Sequence, residues 1–181
     1  MAYELLKRSM IYSGRVFNVV SRQVRLPDGR AQDYDIVEHN GAVTILPLED
    51  DGNLIFVRQY RVGATAELLE LPAGVLHDDE DPALGAAREV REETGCAAAQ
   101  LIPLGGFFMA PGYSTEYMHV FLATGLSNDP LPQDDDEFLE VERIPAARAL
   151  EMAQSGEIQD GKTLVSLMLA KEYLTPFVGK V

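Results

Sequence analysis

The sequence predicts an α+β or α/β chain in which a mixed sheet is held between helices. Two observations carry this expectation. Short runs rich in apolar and β-branched residues, each stopped by a turn signal, recur along the chain, and only two or three segments of helical character interrupt them. In addition, no segment repeats at a fixed period and no Gly/Ser-rich or Pro-rich linker divides the 181 residues. A single domain over residues 1–181 follows, with 1–40 as an N-terminal β-hairpin extension and 41–181 as the core.

In chain order, residues 15–27 (RVFNVVSRQVRLP) are rich in β-branched and apolar positions and stop at Pro27-Asp28-Gly29, a turn signal. The extended pattern resumes at Tyr34–Glu38, which predicts a hairpin. Ala42–Leu48 and Asn53–Tyr60 are two further apolar runs joined by Glu49-Asp50-Asp51-Gly52, read as a second hairpin. Further strands are expected at 101–108, 116–123 and 138–144. Asp81 followed by Pro82 gives an N-cap with proline at the first helical position, and Gly95 supplies a C-terminal cap, so a helix is expected over 82–94. Its Ala83, Ala86, Ala87 and Val90 should face a core. Residues 145–154 and 163–174 also have helical patterns, and Pro130 and Pro132 bracket one polar loop.

The charge balance narrows the function classes. Lys and Arg number 15 against 29 Asp and Glu, a net charge of −14. Such an excess repels phosphate backbones and anionic lipid, which argues against nucleic acid or a membrane as partner. It also attracts metal cations. The lone Cys96 cannot form an internal disulfide, and no run approaches the length of a membrane span or a signal peptide, so the cytoplasm is the expected compartment.

The helix at 82–94 concentrates chemistry. Glu89, Glu92 and Glu93 stand at spacings of three and four, where like charges on one face repel. Glu92 and Glu93 also fall in the last turn, at the negative end of the helix dipole, which favours Lys or Arg. Arg88 can pair with Glu92 one turn on, leaving Glu89 and Glu93 facing each other. A divalent ion would resolve that conflict. Hard carboxylate oxygens favour Mg²⁺ or Mn²⁺ over zinc, and His39, His77 and His119 show no zinc-like spacing. The plain alternative is a solvated acidic face on an acidic protein.

From Gly74 to Cys96 the chain reads GVLHDDEDPALGAAREVREETGC. This resembles the signature of the Nudix hydrolases: Gly, five residues, Glu, seven residues, then Arg-Glu-aliphatic-x-Glu-Glu-x-Gly-aliphatic. Gly74, Glu80, Arg88, Glu89, Glu92, Glu93 and Gly95 meet it, and Cys96 departs from the final aliphatic while remaining a small hydrophobe. The resemblance implies an α/β/α sandwich with a central mixed sheet, and Mg²⁺-dependent attack of water on a nucleoside diphosphate linked to another moiety. It further implies Glu89 and Glu93 as main metal ligands, Glu92 assisting, the Ala73 carbonyl completing the site, Arg88 orienting the carboxylates, and Glu80 with the glycines shaping the loop.

The flanks bear on the substrate. Pro111 stands sixteen residues after Gly95 within APGYSTE, and FVRQYR (Phe56–Arg61) and ELPAG (Glu70–Gly74) lie upstream. All three resemble the ADP-ribose pyrophosphatases, which implies ADP-ribose as substrate and Arg61, Glu70 and Pro111 as substrate-binding residues. Strand periodicity puts Arg58 and Arg61 on opposite faces, with Phe56 and Tyr60 on the Arg58 face as expected core. The same resemblance places a catalytic glutamate in the run Asp134–Glu137. Glu137 is the first candidate, Asp135 the alternative, and Glu116 a weaker third. It also implies a homodimer exchanging the N-terminal segment, with Arg15 approaching the substrate held by the second subunit. The rival expectations are a pyrophosphatase for another nucleotide sugar such as GDP-mannose, a noncatalytic ADP-ribose-binding module, and a purely structural acidic domain.

Overall fold

The structure is a computed structural model that describes residues 2–133 and 138–179. Its chain divides into two compact units, one of residues 1–41 with 107–117 and the other of 42–106 with 118–181.

The first unit is built on an antiparallel sheet in the order β1 (Glu4–Ser13), β2 (Asn18–Arg25), β3 (Ala31–Glu38). β2 and β3 are the expected hairpin, paired from Asn18↔Glu38 to Arg25↔Ala31. β1 was not foreseen. Its Leu5, Met10, Ile11 and Tyr12 are all exposed, so no buried-face alternation marks it in the sequence. Arg8 of β1 and Arg22 of β2 both donate to the Glu38 carboxylate, and these bonds, Arg8 foremost, hold it at a pKa of about 2. Val37 bonds both ways with the 107–117 segment, its N–H to Tyr113 at 2.7 Å and its carbonyl to the Thr115 N–H at 2.9 Å.

In the second unit β4 (Ala42–Pro47), β7 (Ala73–Val75), β8 (Cys96–Phe108) and β9 (Tyr117–Asn128) form a mixed sheet ordered β7-β4-β9-β8, in which β4 and β9 run parallel. β5 (Asn53–Arg61), β6 (Ala66–Glu70) and β10 (Glu140–Pro145) form a second sheet ordered β10-β5-β6. The expected hairpin between the runs at 42–48 and 53–60 therefore does not exist. Only a single bridge, Leu48↔Leu54, joins them. Every residue of β4 is buried, and a strand covered on both faces reads as a continuous apolar run, in which partner choice is invisible locally.

Period-two alternation along β4 explains the layering. Val43 and Ile45 pack with Ala86 and Val90 of helix α1 (Pro82–Thr94), while Leu46 packs on the other side with Ala149 of α2 (Ala146–Ser155) and Leu167 of α3 (Gly161–Leu169). Helices thus cover both faces of the mixed sheet. Asp81 accepts the Ala83 N–H at 2.8 Å as N-cap, and Gly95 ends α1 at φ 74°, a left-handed conformation that an L side chain resists. Ala83, expected to face the core, is exposed in the first turn. The last expected helix is divided into α3 and the single turn α4 (Lys171–Leu174).

Candidate active site

The site is built where α1 crosses the β6–β7 connection of the second unit. Its acids are not a solvated face. Glu93 is 1% exposed and Glu89 7%, which overturns the plain reading of an acidic surface stripe. Buried carboxylates are costly unless paired, hydrogen-bonded or metal-bound. Glu93 accepts the Ala73 N–H at 2.9 Å, so residue 73 meets this carboxylate through its amide. Gly74 passes so close to Glu89 that a Cβ there would stand 1.9 Å from Glu89 Oε1, so any side chain at this position would displace the carboxylate.

Arg88 organises the remaining charges. Its Nε and Nη2 donate to Glu80 at 3.0 Å each, and its Nη1 donates to Glu89 at 2.7 Å and to Glu92 at 2.8 Å. One guanidinium therefore serves three carboxylates, not Glu92 alone as spacing suggested. The Glu80 pair, before the others, pushes the Arg88 pKa above its already high ordinary value. Glu80 in turn is held at about 2, chiefly by Arg88 and then by the His77 N–H at 3.0 Å, against the opposing effect of burial.

A second cluster lies along the same connection. Arg61 of β5 grips Glu70 side-on, Nε to Oε1 at 2.8 Å and Nη2 to Oε2 at 2.6 Å, and Lys162 of α3 donates to Glu70 Oε2 as well. Burial, the largest influence on Glu70, pushes its pKa up, but Arg61 and Lys162 outweigh it and the net direction is down. Lys162 also pairs with Asp160 at 3.0 Å, and Asp160 caps α3 by accepting the Thr163 N–H at 3.0 Å. Thr163 Oγ1 accepts the Leu71 N–H at 2.8 Å. Sequence reasoning missed Asp160, Lys162 and Thr163. A signal was present: a lysine in the first turn of a helix opposes the dipole and needs a special partner.

Ala73, Glu89, Glu92, Glu93, Arg88, Arg61 and Glu70 thus all belong to the second unit, on elements that adjoin. Arg15 and Pro111 belong to the first, both exposed, with Pro111 in a turn closed by the Ser114 N–H on the Ala110 carbonyl at 2.8 Å. Glu116 is also in the first unit, half-buried. Glu137 and Asp135 lie outside the described residues. Arg58 is held by Glu142, as suits a surface charge, and Phe56 is buried, but Tyr60 is 58% exposed and is not core.

The donor chemistry fits a hard cation. The buried acids of α1 offer only carboxylate oxygens, with no thiol or imidazole between them, as suits Mg²⁺ or Mn²⁺. Among the described residues no group of three or more His, Cys, Asp or Glu side chains is already arranged to hold a metal ion. Mg²⁺ commonly uses one or two carboxylates and takes its other ligands from water and substrate phosphates.

Comparison with known proteins places this geometry. The family described as NUDIX domain matches residues 38–165. An ADP-ribose pyrophosphatase of Bacillus subtilis (strain 168) is 38% identical over 164 residues, 90% of this chain and 89% of the relative. Another of that name, from Mycobacterium tuberculosis, is 35% identical over 178 residues, 97% of this chain and 86% of the relative. A solved structure described as that of an ADP compounds hydrolase superposes with a TM-score of 0.85 at 28% identity, covering 100% of this chain and 98% of the other.

Proposed function

The chain belongs to the Nudix family, and from that premise we propose that it hydrolyses the pyrophosphate bond of ADP-ribose to AMP and ribose 5-phosphate. The observation that carries the chemistry is the burial of Glu89 and Glu93 on one face of α1 in a chain of net charge −14. Two buried acids at that spacing are costly to a fold and useful to a cation-dependent hydrolase.

Glu89 and Glu93 would hold Mg²⁺, with Mn²⁺ able to substitute, and Glu92 and the Ala73 carbonyl would contribute ligands. When bound, the ion supplies neutralisation of the pyrophosphate oxygens and lowers the pKa of water. Arg88 keeps Glu89 and Glu92 aligned from outside. Arg61, steered by Glu70, offers a guanidinium to the phosphates, and Pro111 is a further substrate-binding candidate. Glu137 takes the proton of the attacking water as the new P–O bond forms, and the bridging oxygen leaves with the electron pair of the broken bond. The enzyme works in the cytoplasm as a homodimer joined through the N-terminal segment, with Arg15 completing the partner's substrate site. Exposed Leu5, Met10, Ile11, Tyr12 and Phe17 support that arrangement by giving the first unit an apolar surface to cover.

The test is product analysis with ADP-ribose, GDP-mannose, diadenosine polyphosphates and nucleoside triphosphates, each with and without Mg²⁺. AMP should appear from ADP-ribose only with the ion present. Glu93→Gln should abolish both turnover and the rise in thermal stability that Mg²⁺ gives by mass action. Full activity of that variant, or in excess chelator, would move the metal site off α1.

A further inference from the structure

We infer that Lys162 is a positioning residue for substrate binding, acting through Glu70 on Arg61. The inference rests on the reading of Arg61 as a phosphate-binding residue. Lys162 is buried at the start of α3, 7% exposed, in a helical turn where the dipole disfavours a cation. A fold seeking stability alone would be served as well by an apolar side chain of similar length. What Lys162 touches is specific. Its ammonium meets Glu70 and Asp160, and Glu70, 1% exposed, has both carboxylate oxygens occupied, Oε1 by Arg61 and Oε2 by Arg61 and Lys162 together.

Three consequences follow for Arg61. Its guanidinium is bonded along the edge formed by Nε and Nη2, so Nη1 is turned away from Glu70. Its side chain is 41% exposed although its partner is buried, and the charge of Glu93 also acts on it, which places it in the field of the α1 carboxylates. Lys162 donates to the same Oε2 that Arg61 Nη2 grips, so the ammonium pins the carboxylate that sets the direction of the Arg61 guanidinium. The adjacent bond from the Leu71 N–H to Thr163 Oγ1 fixes the backbone beside Glu70, so the first turn of α3 sets both ends of the clamp.

The experiment compares Lys162→Met, Arg61→Met and the double variant in the full chain, reading kcat, KM for ADP-ribose, the Mg²⁺ dependence and Tm. Lys162→Met should raise KM about tenfold, the scale of one charge-assisted hydrogen bond, with kcat at saturating substrate and half-activating Mg²⁺ little changed. Arg61→Met should raise KM at least as much, and the double variant no further than Arg61→Met, because both changes act through one group. A fall in Tm and active fraction with KM unmoved would make Lys162 merely structural and overturn the inference, as would KM effects that multiply in the double variant. If Arg61→Met itself leaves KM unchanged, the phosphate reading of Arg61 fails and takes the inference with it. Should Lys162→Met not fold, Glu70→Gln with Lys162→Met removes both buried charges together. A parental KM in that variant overturns the proposal.

Discussion

At the scale of single residues, two positions show geometry doing what composition cannot. Gly74→Ala would drive a Cβ into the Glu89 carboxylate, which Arg88 already grips, so the acid must shift by an ångström or more. Misplacement on that scale should cost about 10²-fold in kcat while the protein stays folded, checked by turnover and circular dichroism. Unchanged turnover would mean that Glu89 swings clear without consequence. Glu80 makes a different case. Its folded pKa is about 2, against about 4.3 for an unperturbed glutamate. A depressed folded pKa gives a contribution that is fully present above about pH 4.3 and fades as pH falls towards about 2. Glu80→Gln should therefore lose about 2 kcal/mol near neutrality and flatten the dependence of stability on pH between those limits, read from urea midpoints at several pH values. A curve parallel to the parent's would separate Glu80 from acid unfolding. Glu38, also held at about 2, remains in both proteins and cancels in the comparison.

At the scale of elements, legibility follows sequence distance. α1 was readable to the residue because its signals are local: Asp81 caps, Pro82 opens and Gly95 closes. The acids on it were readable by spacing, though nothing in the spacing tells a buried carboxylate from a solvated one. β4 and β5 were recognised as strands but mispaired, since β4 is matched to β9 and β7, and β5 to β10 and β6. Turn residues between them imitate a hairpin signal that tertiary packing overrides. Lys162 escaped notice for the same reason, as its partner Glu70 lies in a distant strand. The acidic run before β10 carries its own prediction. Glu137→Gln should lower kcat by about 10² to 10⁴ with substrate affinity and Mg²⁺ binding nearly intact. A comparable loss confined to Asp135→Asn would transfer the role to Asp135, and no loss in either would place the base elsewhere.

At the scale of the whole molecule, the division into two units gives the N-terminal sheet its own identity, and the exposed apolar residues on it ask for cover. If the proposed homodimer forms through the N-terminal segment, deleting residues 1–38 should leave a monomer and weaken ADP-ribose binding more than Mg²⁺ binding, measured by light scattering and calorimetry. A full-length monomer whose specific activity is independent of protein concentration would refute the shared site while leaving the α1 chemistry intact.

The parallel pairing of β4 with β9 also governs how the chain is made. A nascent chain releases β4 long before β9 exists, so a strand that is fully buried in the fold waits with one hydrogen-bonding edge unfilled during synthesis. α1 emerges in that interval and can shield Val43 and Ile45, but it cannot satisfy the open backbone edge. Slower synthesis between Ala42 and Asn128 should therefore lengthen the exposure of that edge and lower the yield of native protein, which a comparison of soluble yield at different translation rates would read.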